Sequence, residues 1–456
     1  HLTLLEDPTA SLSLTAVTQA LHEGKGTPST ADVPSFGFTR SAMWGQVEIT
    51  NNMRNEPVFI ANVDDALLND ITFYLVHANG EITEKHGGAS VPMSQRDKPY
   101  RTHIFSLPIA PGEKVQLYVR VKTEFALVMP ITLMTPTSFE EASSKQLYVL
   151  GMYFGLMGAM IIYNLFIFLT LRDLSYLIYV FFMIAFAGSR FIFNGLAGEQ
   201  LWPENPVINL YAYPLFLSCF SMTSVLFAET FLFTRHQLKI THYITIAIVV
   251  VDIIAIVLTP FSPRLGILTI LLPGLMSTLV CLYSGWVRAL SGFRPAYYYV
   301  LGWTLFLLGI MIFFARAVGV LPSNFFTEYA EQMGSVIEAM ALSLALASKI
   351  RVMKEEKDRA QAEAMANQDI AINKMKHMDA LKDESLANTS HELRTPLNGI
   401  IGLAEAALYD KKEPLPPRQR ETLAMIVASG KRLGSLVNDI LDFSRLRHEE
   451  ILLAQK

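Results

Sequence analysis

The sequence predicts a multidomain membrane protein: an extracytoplasmic β-sandwich of jelly-roll type, a seven-helix transmembrane bundle, and a cytoplasmic α-helical hairpin that forms half of a dimeric four-helix bundle. Three observations predict it. Residues from about 40 to 135 alternate apolar and polar side chains, apolar runs of about twenty residues recur after residue 145, and past Ile350 the chain turns abruptly polar with helical spacing. The expected division is 1–145 for the β-sandwich, 146–350 for the membrane bundle, 351–385 for a linking helix and 386–456 for the hairpin.

In the first region Trp44, Val47 and Ile49 stand among polar neighbours, and the runs Ile71–Val76 and Val115–Val121 alternate, so strands are expected there. Asn79-Gly80 between two such runs is a tight-hairpin signal, and Pro111-Gly112 introduces the next strand. Strands with one apolar face must bury it against a second layer, hence a sandwich.

Seven runs, near 147–171, 174–196, 207–233, 240–259, 265–288, 297–320 and 327–350, are long enough to cross a hydrocarbon layer of about 30 Å as helices. Arg172, then Arg235 and Lys239, then Arg288 and Arg294, then Lys349, Arg351 and Lys354 fall on one side, whereas the opposite loops hold mainly Arg264. The positive-inside rule therefore places the β-domain outside and the C-terminal segment in the cytoplasm. The composition agrees, with 51% hydrophobic and 17% charged residues among 456. A net charge of −4 offers no basic footprint for nucleic acid. Cys219 and Cys281 both lie in apolar runs, where neither a disulfide nor a zinc site is expected. The chain opens at His1 although its first region must be exported under this topology, and removal of a signal peptide is the expected reason.

Lys354-Glu-Glu-Lys-Asp-Arg359 leads out of the last apolar run into a helix-forming stretch with Met375, Met378 and Leu381 at helical spacing, interrupted by Lys357 and Asn367. Ser390-His391-Glu392-Leu393-Arg394-Thr395-Pro396-Leu397 follows, then Asn398-Gly399-Ile400-Ile401-Gly402. A lone helical His is usually solvated or packed. A zinc site of the HExxH kind needs a second His where Thr395 stands, so no metal is expected. Thr395 falls one turn after His391 on the same face, and Pro396 should bend the helix just beyond. Helices are expected at about 366–408 and 418–447, joined by Glu413-Pro-Leu-Pro-Pro417, with Leu423, Ile426, Leu433, Leu436, Val437 and Ile440 supplying a core that a second copy completes.

The run around His391, with a second helix ending Leu441-Asp-Phe-Ser444, resembles the H-box of the two-component sensor kinases residue for residue. The resemblance implies that His391 takes the γ-phosphoryl group of ATP, that Glu392 holds the imidazole and accepts its proton, and that Thr395 orients water for dephosphorylating a partner. An imidazole suits this because its neutral form is nucleophilic near neutral pH. Upstream, Trp44-Gly-Gln-Val-Glu-Ile-Thr-Asn51, the segment Pro111–Arg120, Gly151-Met-Tyr-Phe-Gly155, Tyr163-Asn-Leu165 and Leu201-Trp-Pro203 resemble the seven-transmembrane diverse intracellular signalling module receptors. That resemblance implies a bacterial inner-membrane sensor kinase of hybrid type, with an outer jelly roll like those of carbohydrate-binding modules and a glycan-like or small-molecule ligand. It implies as partners a second copy of the chain, a response-regulator receiver domain, membrane lipid and, in an alternative role, another sensor kinase regulated without catalysis.

A kinase of this type needs an ATP-binding domain with Mg²⁺, and no G-x-G-x-x-G or P-loop pattern occurs after the membrane region. The expectation is that this stretch holds no cofactor and cannot phosphorylate itself alone, with ATP and Mg²⁺ belonging to the full-length protein. In the β-domain, Trp44 and Tyr100 are candidates to stack on a sugar ring and Arg96 or Arg101 to pair an anionic ligand, against the plainer readings of core and surface. In the bundle, Arg190 and Arg316 lie toward the outer ends of their spans, where they either snorkel to headgroups or pair with Glu331 as a latch on the last helix. Asp252 and Glu338 sit deeper and should face the interior. A transporter would use such acids, but no inverted repeat or pair of broken helices accompanies them.

Overall fold

A computed structural model describes the chain except His1, residues 318–319, 323, 410–414 and 454–456. Two units separate, His1–Arg351 and Val352–Lys456.

The first unit begins with β1 (Thr3–Asp7), α1 (Leu14–His22), β2 (Thr27–Pro28), β3 (Ser35–Phe38), β4 (Ala42–Thr50), β5 (Val58–Val63), β6 (Asp70–Val76), β7 (Ile82–Gly87), β8 (His103–Pro108), β9 (Lys114–Lys122), β10 (Ala126–Val128) and β11 (Ile131–Met134). One sheet has the order β2-β1-β4-β9-β6-β7, a second the order β11-β5-β8, and β10 pairs with β3. Alternation explains the layering. Ile71, Phe73 and Leu75 of β6 and Val115, Leu117, Val119 and Val121 of β9 meet Ala61, Val63, Phe105 and Leu107 of the second sheet in one core. The expected hairpin joins β6 to β7, with Gly80 at φ 84° and Asn79 Oδ1 accepting from the Glu81 amide at 2.9 Å.

Period-two reading placed strands only from about residue 40, and β1 to β3 and α1 precede it. The position of α1 matters. Capped by Ser13, it lays Val17 over Trp44 and Tyr118 on the other face of the large sheet, which is therefore covered.

The helices α2 (Pro136–Leu171), α3 (Leu174–Phe193), α4 (Leu196–Gln200), α5 (Ile208–Leu232), α6 (Thr234–Gln237), α7 (Lys239–Leu258), α8 (Pro263–Leu290), α9 (Pro295–Ala317), α10 (Phe325–Glu328) and α11 (Ala330–Leu408) follow. Among the described residues, six helices, α2, α3, α5, α7, α8 and α9, are long and apolar enough to cross a membrane, and the chain is a multi-pass membrane protein. Seven were expected. The start of α11 packs Ala339, Leu342, Ala345 and Leu346 into the same aromatic-rich core, but Glu331, Glu338 and Lys349 interrupt its apolar character.

In the second unit α11 continues to Leu408 through Pro396, and α12 spans Pro417–Leu453. The expected turn at Glu413 falls partly outside the described residues. The two helices approach closely at Gly430, where a Cβ would lie 2.7 Å from Ile401 Cγ1. Leu393, Ile400, Leu403, Ile426, Leu433 and Leu436 remain exposed, an apolar seam running along both helices.

Candidate functional site

His391, Glu392 and Thr395 share a little over one turn of α11, and all three are exposed, whereas Ser390 beside them is buried. The Thr395 hydroxyl donates to the His391 carbonyl at 3.2 Å, so it sits on the face and at the height of the imidazole's own turn. Arg394 Nη2 donates to Asn438 Oδ1 at 2.6 Å and Lys431 Nζ lies 2.7 Å from Glu405 Oε1, tying the hairpin together on either side of the apolar seam. The arrangement leaves an unobstructed imidazole on a braced helix, able to receive a group from a donor that approaches from solvent, with a carboxylate and a hydroxyl adjacent. The bracing pair Arg394 and Asn438 carried no signal in the sequence.

Further up the same helix, polar bonds join α11 to α3. Arg190 Nη1 lies 2.8 Å from Glu331 Oε2, with the two residues only 8% and 5% exposed. Arg190 is therefore paired and not snorkelling: the guanidinium is enclosed, with Phe193 4.8 Å from its carbon and the Tyr213 hydroxyl 3.5 Å from Nη2. Arg316 lies 5.6 Å from the centre of the Phe313 ring. Farther along, the Tyr179 hydroxyl donates to the Ala339 carbonyl at 2.8 Å. At the other end of α3, Lys349 Nζ donates to Ser175 Oγ at 2.7 Å and lies 3.5 Å from Asp173 Oδ2. The partner numbers rise on α11 as they fall on α3, so α3 runs antiparallel to the first part of α11 and is joined to it at both of its own ends. Lys349 counted in the sequence only as a topology-setting charge, and its position at the end of an apolar run hid its burial.

The α3 helix is also joined to the β-domain. Asn194 Nδ2 donates to the Arg190 carbonyl at 2.8 Å, and the Asn194 carbonyl accepts from Arg101 Nη1 at 2.9 Å. Gly195 follows at φ 78°, where a Cβ would stand 2.1 Å from the Arg101 carbonyl oxygen, so only glycine permits this approach. The Met93 amide donates to the Pro203 carbonyl at 2.9 Å, and Phe125 meets Tyr213 edge-on at 6.1 Å. Behind this junction lies His103, only 2% exposed, and burial pulls its imidazole down to about 3.

Of the four candidate ligand residues, Trp44 and Arg101 are buried, and Arg96 and Tyr100 are half-buried and engaged in bonds within the protein. Trp44, a candidate to stack on a sugar against the plainer reading as core, is 1% exposed and stacks on Tyr74 at 5.7 Å beneath α1, because the helix covers that face of the sheet. Arg96 is occupied by the carbonyls of Val91 at 3.1 Å and Tyr100 at 3.2 Å. Arg101 is 3% exposed and bound at the junction. Tyr100 bonds Ser143 Oγ through its hydroxyl at 2.5 Å and meets Phe139 of α2 edge-on. Arg101 and Tyr100 thus fasten the β-domain to the bundle. Asp252 and Glu338 are buried in the bundle, as expected.

Residues 146–349 match the family described as 7TM diverse intracellular signalling, residues 1–135 the family 7TMR-DISM extracellular 2, and residues 381–449 the His Kinase A (phospho-acceptor) domain. Over 85 residues, 19% of this chain, the sequence is 44% identical to the signal transduction histidine-protein kinase BarA of Escherichia coli, of which the match covers 9%. It is equally identical, over 85 residues and 19% of this chain, to the autoinducer 2 sensor kinase/phosphatase LuxQ of Vibrio cholerae, covering 10% of that protein. The sensor protein GacS of Pseudomonas syringae is 44% identical over 85 residues, 19% of this chain and 9% of that protein. The chain therefore spans about a tenth of the length of the curated relatives it matches.

Proposed function

We propose that the chain is a sensor of the histidine-kinase type built on the seven-transmembrane diverse intracellular signalling module and that it reports ligand binding at its β-domain to the phosphoacceptor His391, a reading supported by the three family matches along the chain. The observation that carries this reading is the run of bonds from Arg101 through Asn194 and Arg190 to Glu331, which begins in the β-domain and ends on the helix that bears His391. A ligand acts through it only by binding two states of the receptor unequally. A glycan-like or small polar molecule on the jelly roll is the proposed stimulus. The charged loops support an inner-membrane orientation with the β-domain outside, the start of α11 serving as a seventh crossing in which Glu331 pairs with Arg190 of α3 and Lys349 with Asp173 at the cap of α3.

In the reaction, an imidazole nitrogen of His391 attacks the γ-phosphorus of ATP held with Mg²⁺ by a separate catalytic domain. The N–P bond forms as the bond to the β-phosphate bridging oxygen breaks, ADP leaves, and Glu392 takes the imidazole proton. The phosphoryl group then passes to the aspartate of a receiver domain, and the Thr395 hydroxyl positions water when the same surface dephosphorylates that receiver. The exposed apolar seam is closed by a second copy in a four-helix bundle.

A second reading rests on the same seam. Any hairpin of matching pattern fits it, so the chain could regulate another sensor kinase by exchanging partners and never transfer phosphate itself. The test is incubation of the chain with an ATP-binding domain of this kinase type and radiolabelled ATP, comparing the native protein with His391→Gln. Label that depends on His391 supports phosphotransfer. Absence of label with ATP demonstrably bound, together with mixed bundles formed with a second kinase, supports the regulator.

A further inference from the structure

The bundle contains a set of polar atoms that the signalling route leaves unused. Asp252 of α7 is 0% exposed, and neither carboxylate oxygen has a hydrogen-bond partner. The Ser221 hydroxyl of α5 is near enough to this carboxyl to interact with it, though not in hydrogen-bond geometry, and Ser218 lies one turn earlier on α5. Both serines are buried, and neither hydroxyl has a partner. Other hydroxyls of the bundle, Ser189, Thr223, Ser224, Thr230 and Ser277, each donate to a carbonyl three or four residues back on their own helix, while Ser284 of α8 shares the unpartnered state.

Buried polar groups left without partners call for an occupant. Four oxygen atoms on three residues are in that position here, and among the described residues the ion pairs of the bundle, Arg190 with Glu331, His242 with Glu229 and Lys349 with Asp173, do not include Asp252. A proton would neutralise the carboxyl, which could then donate to one serine hydroxyl and accept from the other. A small metal cation takes both carboxylate oxygens and both hydroxyls together, and hard oxygen donors suit it. A single carboxylate balances one positive charge, whereas a divalent ion would leave excess charge in hydrocarbon.

We propose that Asp252, Ser218 and Ser221 form an intramembrane binding site for a monovalent metal cation of about the size of sodium. Asp252 lies six residues from the end of α7 at Leu258, about 9 Å along the helix, and the next helix begins where Arg264 Nη1 bonds the Thr39 carbonyl of the β-domain at 2.9 Å. The cation thus joins α5 to α7 in the half of the bundle nearest the β-domain. On α5 it acts below Tyr213, which contacts Arg190.

The test is thermal unfolding of the full chain in detergent micelles or nanodiscs, in sodium, potassium or choline chloride at equal ionic strength and pH. The expected result is a saturable rise in midpoint with sodium that exceeds the effect of the other salts. Asp252→Asn should abolish it, and Ser218→Ala with Ser221→Ala should raise the half-saturating concentration by about tenfold or more, the loss expected when two ligands go. Should Asp252→Asn fail to fold, the serine variant gives the same reading. Equal responses to all three salts, or a sodium response unchanged in the variants, overturn the proposal. A carboxylic-acid infrared band that disappears in Asp252→Asn, without a sodium effect, assigns the site to a proton instead. None of these readouts depends on phosphotransfer.

Discussion

Removing one partner of the buried Arg190–Glu331 pair tests the transmission route directly. At 2.8 Å and an effective dielectric constant of about 20 the attraction is on the order of 6 kcal/mol, most of it offset by the desolvation of two enclosed charges. Losing one partner strands the other, which costs about 3–5 kcal/mol. Arg190→Gln and Glu331→Gln should each lower the stability of the chain by an amount in that range. Arg190→Met with Glu331→Met removes both charges, fills similar volume and should recover most of the loss. If the pair is also the latch, the double variant should be stable and deaf: His391 is labelled at the same rate whatever the state of the β-domain. The assays are unfolding in micelles and phosphotransfer to His391 from a supplied catalytic domain. The reasoning is refuted if the single variants keep native stability, or if the double variant keeps native regulation, which would reduce the pair to packing.

Three further outcomes follow from the structure. His103 is held at about 3, well below its unfolded value near 6.5, so the unfolded chain binds the extra proton; stability should be full above pH 6.5 and fall as the pH drops toward 3, and His103→Leu should flatten that slope in unfolding measured between pH 7 and 4. Thr395→Ala should leave labelling of His391 within about twofold while slowing receiver dephosphorylation by about tenfold or more, the usual range for a lost water-positioning group. Ile426→Lys with Leu433→Lys places charges in the exposed seam, and sedimentation should show dimerisation weakened by at least about a hundredfold, from several kcal/mol of buried charge.

What the sequence determined by itself is whatever depends on near neighbours. A period-two run or a twenty-residue apolar run is complete within its own segment. The runs expected at 174–196, 207–233 and 240–259 accordingly became helices at Leu174–Phe193, Ile208–Leu232 and Lys239–Leu258. The motif around His391 is contiguous, so its residues were legible together, as was the apolar stripe of the second hairpin helix.

Tertiary structure alone decided what those residues meet. Trp44 alternates in a way that suits either a core position or an exposed stacking face, and only the fold shows α1 lying across it. Arg190 and Glu331 are 141 positions apart, Lys349 and Ser175 are 174 apart, and Arg101 and Asn194 are 93 apart. A charge in an apolar run reads the same from its neighbours whether it snorkels, pairs or lines a site. Which of these occurs depends on the free energy of desolvating it beside a particular partner, and that partner is brought into reach only when distant helices pack.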